Sequence, residues 1–415
     1  MPSSQKITVA LLVVAFASSA GAAPDEDRLG RAKGYPLGTL GNFFYEESVR
    51  VGSFSAQGDI PGIKMNVLAP SVAPMVLSHS DSEPSIRWDV DHLKRLTVDD
   101  YLARQRIMGL LIIKDGVIQV ERYQYERKPS QRFLSNSMTK SITSLAVGFA
   151  LQEGKIASLD DPAERYAPKL TGTLYGGTTI RNLLRMSSGV RFTENYDGHD
   201  DLARFGRAAQ REGVEAAAKL ITEREAPQGT RFSYSSAETD ILATVVHRAT
   251  GMTLSEYLTP RLWQPIGAEN SALWRADGTG MERAAGNFNA TLRDYGRLGI
   301  VLASNGVRPD DPQQKQIVPR EYLLDSTDWR RIPQAFQPGK ATPYYGYGYQ
   351  FWIFPGEKRR FALLGVYGQM MLIDPELKLV MVQAAVNATA KAGQTTLAKD
   401  ADAFWRGVVR HYGSW

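Results

Sequence analysis

A serine and a lysine stand three residues apart in Ser137-Met-Thr-Lys140, and this pair could perform nucleophilic chemistry. In a helix, side chains at positions i and i+3 share one face, so the hydroxyl and ammonium groups can meet. A serine is a weak nucleophile until a base takes its proton. A lysine can be that base when burial lowers its pKa, because burial disfavours the charged form. The pattern therefore indicates covalent catalysis through Ser137.

The spacing alone is weak evidence, because Ser3 and Lys6 show it too. Ser137 differs from Ser3 in its context, since residues 141–151 are apolar on most faces and predict a buried helix. The structural alternative is that Ser137 caps this helix while Lys140 lies on the surface.

Two further segments could complete such a site. Tyr234 stands in the Gly- and Ser-containing segment 227–236, where its phenol could relay a proton between serine, lysine and a leaving group. Gly368, in the segment 365–369, would let the backbone approach a ligand closely, and free amides there could donate to an oxyanion. Each residue also has a structural explanation, as a packed aromatic side chain or as an ordinary β-bulge or turn.

Composition and missing motifs exclude several other classes of chemistry. The chain has no cysteine, which excludes disulfides, a cysteine nucleophile and thiolate metal sites. The sequence has no G-x-S-x-G nucleophile elbow, no H-E-x-x-H zinc-protease motif, and no Walker or dinucleotide-binding glycine motif. Its five histidines lack metal-ligand spacing. The formal charge of +5 is small for 415 residues and the basic residues are spread out, so the sequence indicates no nucleic-acid partner.

The first residues predict export. Lys6 precedes an almost wholly apolar run at residues 7–17, and small residues follow at 18–23. This order is typical of a signal peptide, here residues 1–23, whereas a disordered or helical N-terminus is the alternative. The run is too short to span a bilayer, which needs about 20 residues. We expect a periplasmic or secreted mature protein without stable membrane insertion.

Strand patterns lie towards both ends of the chain, with helical patterns between them. Residues 24–104 are predicted to form an N-terminal extension packed on a domain of residues 105–415, whose segment 155–285 is a mainly helical subdomain. Asp115-Gly116 predicts a tight hairpin, and short connections near the C-terminus favour antiparallel pairing. The fold class expected is α/β of the α+β type, with an antiparallel sheet built from both termini and flanked by helices. The predicted strands are residues 107–114, 117–125, 344–354, 360–367, 370–373 and 377–386, and the predicted closing helix is 395–412.

These motifs occur in the order found in the serine beta-lactamase and penicillin-binding-protein superfamily, which the chain resembles over about residues 105–390. The flanking segments that resemble class C-like members are 154–162, 166–168, 179–189 and 232–235. Within the superfamily, the chain looks most similar to the 6-aminohexanoate-dimer hydrolase branch, whose members cleave linear amides and often simple esters. That similarity rests on residues 186–196, 289–294 and 365–369.

The resemblance implies a role for each motif. Ser137 would be the nucleophile, and Lys140 and Tyr234 would be the acid/base pair. The backbone amides of Ser137 and Gln369 would form the oxyanion hole. The substrate-binding residues implied are Tyr196, Asn289, Tyr367 and Gly368. The substrate would be a small-molecule amide or ester, and the chemistry would need neither a metal ion nor a cofactor.

Two departures from the superfamily pattern bear on the substrate. Ser236 stands where many relatives have asparagine. Residues 366–368, Val-Tyr-Gly, stand where the K-T-G triad would be, so the lysine that helps hold a β-lactam or peptide carboxylate is missing. Both departures disfavour a beta-lactamase or a D-alanyl-D-alanine carboxypeptidase, which remain the enzyme alternatives. A non-catalytic binding or scaffold protein on the same fold is the other alternative, and the oligomeric state stays open.

Overall fold

The computed structural model describes residues 23–415. The predicted signal peptide, apart from Ala23, lies outside the described residues. Within the described part, the helices are all too short or too polar to cross a membrane.

The described residues form thirteen strands. In chain order they are β1 (Lys64–Leu68), β2 (Trp88–Val90), β3 (Leu93–Leu96), β4 (Ile107–Lys114), β5 (Val117–Tyr123), β6 (Arg132–Leu134), β7 (Ala272–Ala276), β8 (Phe288–Thr291), β9 (Gly346–Tyr347), β10 (Trp352–Ile353), β11 (Phe361–Gly365), β12 (Gln369–Asp374) and β13 (Leu379–Ala385). The α-helices are α1 (Glu47–Ser55), α2 (Val98–Arg104), α3 (Thr139–Gln152), α4 (Ile180–Leu184), α5 (Asp201–Glu212), α6 (Val214–Ala218), α7 (Ser236–Thr250), α8 (Leu254–Leu258), α9 (Leu292–Ala303), α10 (Arg320–Thr327) and α11 (Leu397–Tyr412).

The main sheet has seven strands in the order β5-β4-β13-β12-β11-β10-β9, and every neighbouring pair is antiparallel. Strand β4 is buried along most of its length because the sheet is covered on both faces. One face packs with α3 and α9 in the larger core, and the other packs with α2 and α11. The predicted sheet built from both ends of the chain is confirmed.

Helix α3 begins directly after the Ser137 segment and is buried from Thr139 to Ala150. A helix that is apolar on most faces can be stable only inside the protein, which agrees with its sequence. Gly154, with φ of 68°, follows the helix in the left-handed conformation that favours glycine.

A second sheet has the strand order β1-β7-β8-β6. Segment 24–104 contributes β1, which pairs along its full length with β7 from the segment expected to be mainly helical. Helix α1 of the same segment buries Val51 and Phe54 in the larger core. The sequence did not predict this sheet, because its strands are only three to five residues long.

The predicted strand over residues 344–354 is wrong. The structure has only the short strands β9 and β10 there, separated by Gln350 with φ of 65°. The Gln350 amide N–H donates to Leu184 O at 3.0 Å, and its side-chain Nε2 donates to Leu183 O at 3.0 Å. These bonds to the end of α4 hold the chain in a turn where the hydrophobic pattern alone favours a strand.

Candidate active site

Ser137 lies in a short 3-10 turn between β6 and α3. The turn is fixed to the end of β11, because Asn136 Nδ2 donates to Val366 O at 3.0 Å. Ser137 itself is half-buried, while the residues on either side of it are buried. A hydroxyl held rigidly at the start of a buried helix is well placed to act as a nucleophile.

Lys140 lies one turn further along, and its side chain is 2% exposed. Its Nζ donates to Ser137 Oγ at 2.9 Å and to Ala285 O at 2.8 Å. Burial lowers the pKa of Lys140 to about 8, although the negative charges of Glu194 and Asp240 act in the opposite direction. A lysine with this pKa can exchange a proton with the serine near neutral pH.

A buried carboxylate positions the carbonyl that Lys140 contacts. Asp240, on α7, accepts a hydrogen bond from the Ala285 amide at 3.0 Å. Thr143 Oγ1, one turn after Lys140, donates to Ala284 O at 3.0 Å. Asp240 and Ala285 could not be recognised in the sequence, because no pattern marks a backbone carbonyl as a lysine partner.

Tyr234 lies just before α7 and packs its ring against Lys140 and Trp352. The Lys140 Nζ is 5.0 Å from the ring centroid, and the Trp352 ring is stacked at 5.7 Å. Burial, and then the charge of Glu194, raise the pKa of Tyr234 well above its ordinary value, although its contact with Ser137 acts in the opposite direction. The phenol therefore stays protonated near neutral pH and can donate a proton beside Ser137.

Glu194 is a site residue that no sequence motif indicated. Its carboxylate accepts hydrogen bonds from the Ser236 amide and Ser236 Oγ, both at 2.8 Å, and from Tyr196 Oη at 2.6 Å. Ser236, which stands where many relatives have asparagine, is the sequence feature connected with Glu194, because its hydroxyl donates to the Glu194 carboxylate. These bonds connect the start of α7 to residues 191–200, the loop before α5 that we call the Tyr196 loop.

The end of β11 lies against the turn that holds Ser137. A Cβ added to Gly365 would lie 2.4 Å from Ser135 O and 3.0 Å from the Ser137 amide nitrogen, so only glycine fits there. Within residues 23–415, the Ser137 and Val366 amides donate to no backbone group outside their own helical turns. Two N–H groups without an acceptor outside their own turns, beside a nucleophile, are suited to stabilise an oxyanion.

Two cavities meet at the serine and share four lining residues, Ser137, Glu194, Tyr196 and Val366. The aromatic cavity has a volume of about 700 Å³, and its large apolar lining residues are Tyr344, Tyr345, Trp352, Phe354, Leu364, Met370 and Leu372. The arginine cavity has a volume of about 530 Å³, and its charged lining residues other than Glu194 are Arg207, Arg211, Arg275, Arg283 and Asp240. In residues 23–415, no three or more His, Asp and Glu side chains form a group that could hold a metal ion.

Comparison with known proteins gives a family match over residues 95–402, to the family described as Beta-lactamase. The chain belongs to the beta-lactamase family. A curated relative, the 6-aminohexanoate-dimer hydrolase of Paenarthrobacter ureafaciens, is 28% identical over 312 residues, which cover 73% of this chain and 78% of the relative. The predicted similarity to the serine beta-lactamase-like family is thereby confirmed.

Solved structures show the same fold at lower identity. A Bacillus anthracis structure assigned as a 6-aminohexanoate-dimer hydrolase has a TM-score of 0.77 and 23% identity, covering 89% of this chain and 96% of the other. A D-stereospecific amidohydrolase from Streptomyces sp. has a TM-score of 0.52 and 16% identity, covering 70% of this chain and 93% of the other. These likenesses confirm the beta-lactamase-family fold.

In this beta-lactamase-family site, the Val366 amide is a further candidate for the oxyanion hole beside Gln369, because Val366 directly follows Gly365 at the Ser137 turn. Gln369 lies opposite Gly365 in the β11–β12 ladder. Its side chain is bound to the end of β13, where Nε2 donates to Ala385 O at 2.6 Å and Oε1 accepts from the Ala385 amide at 3.1 Å. Gln369 also lines the aromatic cavity, and the oxyanion role of its backbone amide stays a prediction.

Tyr367 does not line either cavity, contrary to the role that the resemblance implied. Its ring is 4% exposed and packs edge-on against Phe44 at 5.1 Å and Phe54 at 5.6 Å. The guanidinium of Arg50 lies 4.1 Å from the ring centroid. A positive φ of 61° turns this side chain away from β11 and into the packing of the N-terminal segment.

Gly368 and Asn289 are also placed away from the cavities. Gly368 has φ of 91°, and a Cβ there would lie 2.5 Å from Leu397 Cδ2, so this glycine serves the packing of α11. Asn289 is 1% exposed in β8, and its Nδ2 donates to Gln57 Oε1 at 2.9 Å and to Asn287 O at 2.8 Å. Of the four implied substrate residues, only Tyr196 faces the space around Ser137.

Proposed function

We propose that this protein is a serine hydrolase that cleaves an amide or ester bond through an acyl-enzyme on Ser137. The observation that carries the proposal is the 2.9 Å contact between Lys140 Nζ and Ser137 Oγ, at a lysine whose pKa burial lowers to about 8. A serine beside a lysine that is partly neutral at physiological pH is an activated nucleophile.

In the proposed acylation step, Ser137 Oγ attacks the carbonyl carbon while its proton passes to Lys140 Nζ. The new oxyanion accepts hydrogen bonds from the amides of Ser137 and Val366. Tyr234 gives its proton to the leaving nitrogen or oxygen as the bond to the carbonyl carbon breaks. The proton on Lys140 then restores the phenol, so the enzyme keeps its proton count.

In the proposed deacylation step, water attacks the acyl-enzyme and its proton passes to the same Lys140 and Tyr234 pair. Ser137 Oγ leaves and regains its proton. Glu194 is not proposed as the base, because its two oxygens already accept three hydrogen bonds from Ser236 and Tyr196.

The proposed substrate is a linear amide or ester. Support comes from the relative named 6-aminohexanoate-dimer hydrolase and from an aromatic cavity that would accept an apolar group. A beta-lactamase or carboxypeptidase function has less support, because residues 366–368 carry no lysine where the K-T-G triad would be expected, and neither do Leu364 and Gly365 before them.

The test is replacement of the nucleophile. Ser137→Ala should reduce hydrolysis of p-nitrophenyl esters and linear amides by about four orders of magnitude, because the covalent route is lost. Labelling by a fluorophosphonate probe should also disappear, whereas Ser82→Ala, at an exposed serine, should keep both activity and labelling. Activity of a few per cent in Ser137→Ala, with contamination excluded, would overturn the mechanism, and an unlabelled wild type would favour a non-catalytic role.

A further inference from the structure

The arginine cavity carries more positive than negative charge. Four arginines line it, against the two carboxylates Glu194 and Asp240. Both carboxylates already have partners, since Glu194 is held by Ser236, and Asp240 pairs with Arg283 at 3.4 Å and accepts from the Ala285 amide. The cavity beside the nucleophile therefore retains cationic groups that its own acids do not neutralise.

Arg275 is the clearest of these cations. It projects from β7, where Nη2 donates to the neutral Gln210 Oε1 at 3.1 Å and the guanidinium lies 5.8 Å from the Phe43 ring centroid. Burial and the charge of Arg283 lower the pKa of Arg275 to about 10, and no carboxylate opposes this shift. Holding a guanidinium in this environment costs free energy that an anionic ligand would recover.

The neighbouring arginines extend the same cationic surface. Arg283 donates to Gly206 O at 2.9 Å, and its Nε is buried without a hydrogen-bond partner. Arg207 and Arg211 are exposed at the rim of the cavity. The cavity thus has two inner guanidinium groups and two at its entrance, in an order that would draw an anion inwards.

We propose that the arginine cavity binds a carboxylate of the substrate, so that the natural substrate has one apolar arm and one arm that ends in a carboxylate. Ser137 lies where the two cavities meet, so a substrate whose carbonyl is at Ser137 extends into both. The planar guanidinium fork matches the two oxygens of a carboxylate. The inference rests on the proposed function only for the position of the scissile bond.

The experiment measures binding to the Ser137→Ala protein by calorimetry, so that it does not depend on turnover. The first ligand pair is N-(4-phenylbutanoyl)-6-aminohexanoate and its terminal carboxamide. The second pair reverses the amide, as the mono(phenethylamide) of adipic acid and its carboxamide. Because both amide directions are included, the test does not assume which arm is the acyl group.

In at least one pair, the acid should bind about ten- to a hundredfold more tightly than the carboxamide, the range expected for a hydrogen bond to a charged group. Adding Arg275→Gln should remove most of that preference. The matched control Arg231→Gln, at an exposed arginine outside the cavity, should leave it unchanged. Circular dichroism checks the fold, and Arg207→Gln at the exposed rim should reduce the preference if Arg275→Gln unfolds.

Equal binding of acid and carboxamide in both pairs, or no binding of any ligand, would overturn the carboxylate subsite. A preference that survives both Arg275→Gln and Arg207→Gln would overturn it as well. Neither result contradicts the proposed hydrolase function, which is tested separately by ester and amide turnover of the wild type.

Discussion

At the residue scale, the proposed chemistry depends on how easily Lys140 loses its proton. Burial favours the neutral amine, while the charges of Glu194 and Asp240 favour the ammonium form, and the balance lowers the pKa to about 8. The pKa of Tyr234 is instead raised above its ordinary value, mainly by burial, so the phenol stays protonated. The pair thus combines an acceptor and a donor in contact with one hydroxyl, as acyl transfer requires.

Lys140→Ala and Tyr234→Phe should each reduce kcat/KM by at least about a hundredfold, because general acid–base groups contribute about 10²- to 10⁴-fold. In the double variant the losses should be far from multiplicative, since the two side chains act as one proton-transfer unit. Steady-state kinetics on a p-nitrophenyl ester measures the three losses. Losses that multiply independently would contradict a shared relay.

The spacing of Ser137 and Lys140 could be recognised from the sequence because a helix places i and i+3 on one face. Tyr234 could be recognised only through the resemblance, since an isolated tyrosine carries no spacing signal. Val366 could not be identified, because the proposed oxyanion donor is a backbone amide whose position depends on how close Gly365 comes to the Ser137 turn. Arg275 was missed because an unpaired charge is visible only once its neighbours in space are known.

At the element scale, the site is assembled where helix α7, the Tyr196 loop and strand β11 meet the start of α3. Glu194 connects helix α7 to the Tyr196 loop. Its negative charge is also the largest of those that raise the pKa of Lys140. The same carboxylate therefore has a structural and an electrostatic effect, and the two effects predict different outcomes for a substitution.

Glu194→Gln should shift the rising limb of the kcat/KM–pH profile to lower pH. Lys140 accepts a proton only when neutral, so activity rises as pH passes its pKa of about 8. Removing the negative charge removes an interaction that raises this pKa, so the midpoint should fall by about 0.5 to 1 pH. Glu225→Gln, at an exposed glutamate, is the control. A lower activity with an unmoved midpoint would mean that Glu194 acts only as a structural clamp.

The central antiparallel sheet was predictable because β4, β12 and β13 are long apolar segments beside tight turns. The second sheet was not, because β1 and β7 are five residues each and pair across more than two hundred positions of sequence. Residues 344–354 were misread because Gln350 interrupts a hydrophobic run by bonding to α4. Local patterns thus identify long strands, while short strands depend on partners far along the chain.

At the scale of the whole molecule, the N-terminal segment belongs to the folded body from its first described residues. Tyr125 Oη donates to Pro24 O at 2.9 Å, and Phe44 packs against Tyr196 at 6.4 Å between ring centroids. The same segment also lines the arginine cavity, through Leu40, Gly41, Phe43, Phe44 and Tyr45. Truncation beyond the predicted signal peptide would therefore remove part of the wall of the candidate site.

We expect the signal peptide to be removed after Ala22 or Ala23, because Ala20-Gly-Ala22 and Ala23 supply the small residues that a signal peptidase needs. N-terminal sequencing of protein from the periplasmic or secreted fraction measures this directly. Replacing Ala20 and Ala22 with bulky residues should leave the precursor uncleaved. An intact Met1 on soluble cytoplasmic protein would contradict the predicted export.

The two cavities and the end of β11 together predict the order of substrate preference. Linear amides and short p-nitrophenyl esters should be turned over better than penicillins or cephalosporins. A β-lactam carries a carboxylate beside the scissile ring, and relatives that process it hold that charge with the K-T-G lysine. Here Leu364 and Val366 stand at this strand end, and the aromatic-cavity lysines Lys391 and Lys399 are exposed, where solvent and salt screen them. The arginines line the other cavity, which Leu364 does not border.

The missing charge-assisted hydrogen bond is worth about 1.5 to 3 kcal/mol, which corresponds to about ten- to a hundredfold in kcat/KM. Neutral acyl groups suffer no such loss, and the aromatic cavity offers them apolar contact. A panel of esters, linear amides and β-lactams with one enzyme preparation measures the order. A penicillin with a higher kcat/KM than every ester and linear amide would refute the assigned substrate class, while the Ser-Lys-Tyr mechanism would still stand.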